Sequence, residues 1–285
     1  MSQDLSVAQL LIVRDRHGFR EPEVIAASPE VSAAAESAAL SIVKRYGVPA
    51  TGIRCPRAIF AWPLSRRQVV LGQVSDEPAG HPDPARLFFW LLLLDRQCYE
   101  TVNDPFLIAD RFPPAWHERG MLPTLNLSGE ARPARSVAEI QAILRDGDSA
   151  WLLGAAQALV DGGRVLWESD TPATEVIRGV WQLLPERSRM RLWPATFAFS
   201  PELSFHVLAM PSPIQPWPPS YLHPEQARDY PESYYELALQ TAVEAGHQAE
   251  LDRLFSRRSA DDTLQLAAIL LLTMLLVAIA SHWLV

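Results

Sequence analysis

The stretch LQLAAILLLTMLLVAIASHWLV, Leu264 to Val285, constrains this chain more than any other part of it. Between Leu266 and Ala280 only Thr273 is polar, and no residue is charged. A threonine hydroxyl can bond back to a carbonyl one turn earlier, so it does not interrupt a helix in lipid. A hydrocarbon core of ~30 Å takes roughly 20 apolar residues at about 1.5 Å rise each. The run therefore predicts one transmembrane helix. Its membrane-anchoring side chains are Leu264, Leu266, Ile269, Leu270, Leu271, Leu272, Met274, Leu275, Leu276, Val277 and Ile279, with Trp283 at the interface. Ser259 to Asp262 supplies a Ser-x-x-Asp capping pattern at its start. A helix buried in a water-soluble core usually keeps a polar stripe, and this one has none.

Arg253, Arg257 and Arg258 precede the run and nothing in the chain follows it. The positive-inside rule then predicts a cytoplasmic amino-terminal part and a tail anchor in the inner membrane, single-pass and inserted after synthesis. Met1 to Gln9 carries Asp4 and lacks a basic start, so it does not read as a signal peptide.

The rest of the 285 residues reads as a folded unit, not as a disordered or disulfide-stapled chain: 48% are hydrophobic and two are cysteine. A net charge of −8 leaves no footprint for nucleic acid. The pattern predicts an α+β fold, a mixed sheet with flanking helices, over residues 1–210. A Pro-rich connector (211–224), a long helical stalk (225–258) and the anchor (259–285) follow.

Within the unit, Val7–Val13 reads as a strand, and Ser28-Pro29 as the cap of an alanine-rich helix ending near Tyr46. Ala58–Leu64 and Gln68–Val74 form a hairpin candidate, and Arg86–Asp95 a strand buried on both faces. Asp104-Pro105 opens a short helix, and Ser136 with Glu139 makes a capping box. Ala150–Val160 is helical and the RVLWE segment a short strand. Thr171-Pro172 caps a further helix, and Leu192–Phe199 and Leu203–Met210 read as late strands. Prolines exclude Pro211–Pro224 from helix or central strand and predict a stiff, extended connector.

No phosphate loop, dinucleotide fingerprint, GxSxG elbow, HExxH or CxxC occurs. No cofactor or metal is therefore expected, and no catalytic residue is assigned. His81 and Asp83 lack a third ligand and read as a solvated turn. Cys98 would act as a nucleophile only with His81, His117 or His206 beside it, and its bland reading is a small core residue. Cys55 carries less signal still. Asp104 and Asp110 read as capping before acid–base chemistry, and Arg14 to His17 as a solvated charged turn. Trp62, Trp90, Trp181 and Trp193 read as core, whereas Trp217 packs on a partner or folds back on its own domain.

Two longer stretches, Leu91–Pro113 (LLLLDRQCYETVNDPFLIADRFP) and Gly179–Pro211 (GVWQLLPERSRMRLWPATFAFSPELSFHVLAMP), follow VAQLLIVRDRHGFREPEVIAASP in an order that resembles the amino-terminal domain of the bacterial GTPase-associated protein 1 family. The resemblance covers Val7 to Pro211 and implies a place beside small GTPases in signalling or conflict systems. It carries over no catalytic residue. The expected function is a non-enzymatic, membrane-tethered adaptor with the bilayer and a protein as partners and no nucleic acid. The alternatives are a membrane-disrupting effector that oligomerises through its span, and a Cys/His hydrolase.

Overall fold

Arg86–Asp95 is the strand around which the chain is organised. Eight consecutive apolar residues, Leu87–Leu94, are buried along it, as a strand covered on both faces requires. In the computed structural model the described residues are 5–78, 85–116, 118–127, 134–257, 271, 273 and 274. In chain order the first elements are β1 (Leu5–Asp15), β2 (Glu23–Ala27), α1 (Ala33–Arg45), β3 (Ala58–Pro63), β4 (Gln68–Ser75) and β5 (Arg86–Asp95). Then come α2 (Arg96–Val102), α3 (Pro105–Arg111), β6 (Gly120–Met121), β7 (Leu125–Leu127), α4 (Val137–Asp146), α5 (Ser149–Val160) and β8 (Val165–Glu168). The last are α6 (Thr174–Leu183), α7 (Glu186–Arg189), β9 (Pro194–Ala195), β10 (Val207–Met210), α8 (Pro224–Arg228), α9 (Tyr234–Glu244) and α10 (Gln248–Phe255).

The fold is α+β, with one mixed sheet ordered β6-β2-β1-β5-β4-β3-β9-β10-β8 and β7 paired to the start of β1. From β2 to β9 the pairs are antiparallel, while β9-β10-β8 run parallel, with α6 and α7 making the crossover from β8. Successive side chains of β3, β4 and β5 face opposite sides. Phe60 and Phe89 meet Tyr46, which follows α1, with ring centroids 5.2 and 5.3 Å away. On the other side Gln73 Nε2 donates to the Ala109 carbonyl of α3 at 3.1 Å. In a helix that carbonyl would take the N–H four residues on, but residue 113 is proline and has none.

The hairpin of β3 and β4, the buried β5 and the α4 capping box stand as the pattern predicts. Other boundaries shift. The cap of α1 is Ser32, whose hydroxyl accepts the Ala35 N–H, because Ser28 is spent on β1: its Oγ accepts the Gln9 N–H at 2.9 Å. Thr171-Pro172 lies ahead of α6, whose cap position is Ala173 with no side-chain bond. The two late strands shrink to Pro194–Ala195 and Val207–Met210.

The expected stalk is not one helix. Pro231 cannot donate into a helical ladder, and Gly246 turns the chain at φ +69°, so three short helices replace it. They pack on the domain through Ala227, Tyr235, Leu239, Val243, Leu251, Leu254 and Phe255. One close approach is at Gly154 of α5, where an added Cβ would lie 1.8 Å from the Ala227 carbonyl oxygen of α8. The expected extended connector is folded back as well. Leu222 bridges Val165 of β8, Trp217 Nε1 donates to the Tyr221 carbonyl at 2.9 Å, and Tyr221 Oη donates to the Phe205 carbonyl at 2.7 Å.

Among the described residues no helix is long and apolar enough to cross a membrane. The anchoring residues lie outside the described residues apart from Leu271 and Met274, which, like Thr273 between them, are helical and exposed. Arg253 and Arg257 are described and Arg258 is not.

Candidate functional site

Helices α4, α5 and α6 enclose a groove of about 470 Å³. Its local construction is explicit in the sequence. The Ser136–Glu139 box starts α4, and Asp148 starts α5 by accepting the Trp151 N–H at 3.1 Å. Ile143, Leu152 and Val176 give the groove an apolar body, and Trp151 meets Trp167 of β8 edge to face at 4.7 Å. Asp146, Asp148 and Glu175 add three carboxylates to the lining. Burial pushes the Asp148 carboxyl up, but the Trp151 N–H and the Arg228 guanidinium at 2.9 Å outweigh it and hold it below the ordinary range. Arg178, the cation of the lining, is committed to Asp110 at 3.0 Å. The lining contains no cysteine, serine or histidine. Such a site can bind an apolar body and select against anions, and it has no nucleophile–base pair.

The residues singled out in the sequence fall into separate places. Cys98 is buried in α2, and burial followed by the nearby Asp95 pushes its thiol up to about 11, so it stays protonated near neutral pH. Among the described residues no hydrogen bond joins Cys98 to a histidine. His206 instead accepts the Trp193 N–H on Nδ1 at 3.1 Å. His81, Asp83 and His117 lie outside the described residues. Asp104 caps α3 through the Phe106 and Leu107 N–H groups and accepts from Gln182. Asp110, with Arg178 and Arg57, makes surface ion pairs. Trp90 and Trp181 are fully buried, Trp193 nearly so, Trp62 partly, and Trp217 folds back to stack on His223. Among the described residues no cluster of three metal-ligating side chains occurs.

The charged turn after β1 is solvated at His17, as expected, but Arg14 and Arg16 are tied into the structure. Arg14 Nη1 donates to the Val43, Lys44 and Gly47 carbonyls at the end of α1. Arg16 is buried against Asp76, Nη1 to Oδ2 2.7 Å, and its Nη2 donates to the Ile53 carbonyl. Asp76, fully buried, also accepts from Arg54 Nε and the Cys55 N–H, each at 3.0 Å. Burial raises its carboxyl, yet the Arg54, Arg16 and Cys55 donors together hold it below its ordinary value. The same burial, with Asp76 close by, drives the Cys55 thiol well up. Nothing in the local sequence announces this cluster, because its members come from loops up to 60 residues apart.

Compared with known proteins, the chain matches no protein-family model, and no curated protein aligns with it significantly.

Proposed function

We propose that the chain is a membrane-tethered adaptor: an α+β domain on the cytoplasmic side of the inner membrane, held by the Leu264–Val285 run and binding a protein partner. The observation that carries this is the run itself, uncharged from Leu264 to Val285 and preceded by Arg253, Arg257 and Arg258. The exposure of Leu271 (69%) and Met274 (70%) supports it, since two large apolar side chains of the run are not packed on the domain. The α4/α5/α6 groove suits the adaptor role, its apolar body framed by Asp146, Asp148 and Glu175. Its occupant is an apolar anchor residue on a basic segment of the partner, chosen by charge complementarity. The link to a small GTPase is part of the same proposal and rests on the family resemblance. Tethering raises the effective concentration of partners held at the same surface.

Membrane fractionation tests the reading. The full chain stays with membranes through alkaline carbonate, and a chain ending at residue 263 is released. A full chain that washes off overturns the tether. Val176→Arg in the groove abolishes partner capture without changing membrane retention. Unchanged capture removes the groove from the proposal.

A further inference from the structure

A second cavity, of about 400 Å³, lies at the β8 end of the sheet, lined by Arg164, Trp217, Ser220, His223, Gln226 and Tyr230 among others. Arg164 stands one residue before β8, and its carbonyl accepts the Leu222 N–H at 2.9 Å, so the returning proline segment is fixed against it. The ring wall is fixed too. Trp217 and His223 stack at 3.8 Å with their planes 16° apart.

Among the described residues the Arg164 side chain has no ion pair and no hydrogen bond, and its Nε is buried without an acceptor. A guanidinium carries five N–H donors in a fixed fork and accepts nothing, so only an acceptor can complete it. No carboxylate lines this cavity, although the chain carries a net charge of −8. Asp161 reaches the lining through the Tyr230 hydroxyl at 3.3 Å and is held by Gln157 Nε2 at 2.9 and 3.0 Å. Ser220 and Gln226 add a hydroxyl and an amide to the lining, while Gln226 Oε1 already accepts the His223 N–H. The groove between α4, α5 and α6, by contrast, is lined by three carboxylates.

We infer that this cavity binds a small aryl anion, a carboxylate or phosphate ester carried on a ring. The Arg164 fork takes the anion in a two-pronged bond, and the Trp217 wall takes the ring. The inference depends neither on the membrane anchor nor on the partner groove.

Calorimetric titration of the full-length chain in non-ionic detergent tests it, with phenyl phosphate, benzoate, inorganic phosphate and benzamidine as probes. Phenyl phosphate and benzoate bind saturably, inorganic phosphate roughly tenfold more weakly, and the cation benzamidine not at all. Arg164→Gln weakens both aryl anions by about tenfold or more, and Arg164→Lys by less, since it keeps the charge and loses the fork. Ser220→Phe, which fills the exposed mouth and leaves Arg164 in place, blocks binding as well. The inference is overturned if neither aryl anion binds, if benzamidine binds as well as benzoate, or if binding is unchanged in Arg164→Gln and Ser220→Phe. Equal affinity for inorganic and phenyl phosphate makes it an adventitious anion site and overturns the ring specificity.

Discussion

Arg16 and Arg164 stand at comparable places, one just after the long strand β1 and one just before the short strand β8, and they have opposite fates. Arg16 is closed in by Asp76 and the Ile53 carbonyl. Arg164 lines a cavity with its Nε unsatisfied. The difference follows from what surrounds each strand. The antiparallel half is built from long strands whose loops meet and supply counter-groups. The parallel half has strands of four, two and four residues, and folded-back loops and short helices enclose its edge. Arg16, buried with its counter-ion, is structure, whereas Arg164, half-buried with an unsatisfied Nε, is an opening for a ligand.

Removing the counter-ion gives the largest expected effect. Asp76→Ala leaves Arg16 buried and uncompensated and costs about 3–5 kcal/mol, read as a lower urea midpoint. A loss below about 1 kcal/mol would mean that Arg16 finds water, and the contrast between the two arginines would dissolve.

The pH dependence comes next. Burial, and then the charge of Arg164, push His206 down to about 4 from an ordinary 6.5. Its neutral Nδ1 accepts the Trp193 N–H, so the unfolded chain takes up the proton first on acidification. Stability from this group is present above about pH 6.5 and is lost as pH falls toward 4, by about 3 kcal/mol in full. His206→Asn, which keeps an acceptor and cannot titrate, flattens denaturation midpoints measured across that window. Arg164→Gln narrows the window by raising the histidine.

Gly154→Ala drives a methyl into the Ala227 carbonyl and costs about 1–3 kcal/mol by forcing α5 and α8 apart. Arg164→Gln has the smallest effect on stability, within about 0.5 kcal/mol by thermal melting, because it breaks no bond in the free protein. A large loss there would show that the arginine is structural after all.

The antiparallel half was the more legible in sequence, for the same reason. An unbroken apolar run of eight residues has one outcome in a two-faced sheet, and the hairpin beside it announces itself by its turn. The carboxyl-terminal helices show their docking face only in the fold. Tyr234 and Leu237 are exposed, while Tyr235, Leu239 and Val243, spaced by four, carry the contact. The proline at 231 was the available sign that no single helix runs there. Ser28 fits a cap by local pattern, and only the distant Gln9 backbone shows that it is taken and that Ser32 caps the helix instead. The Arg164 cavity has no motif. What marks it is an absent counter-charge, and absence becomes visible only when distant loops are brought together.

The proline-rich return has a consequence for how far the sheet extends. A terminal β-strand offers unpaired N–H and C=O groups to any passing strand, which is how sheets fuse into aggregates. Here Leu222 occupies the outer side of Val165, and the flanking prolines, having no N–H, present no ladder of their own to continue the row. The segment works as a selvedge, a finished border at which the weave stops. Wherever two copies of the chain meet, this border keeps them from being stitched together through it.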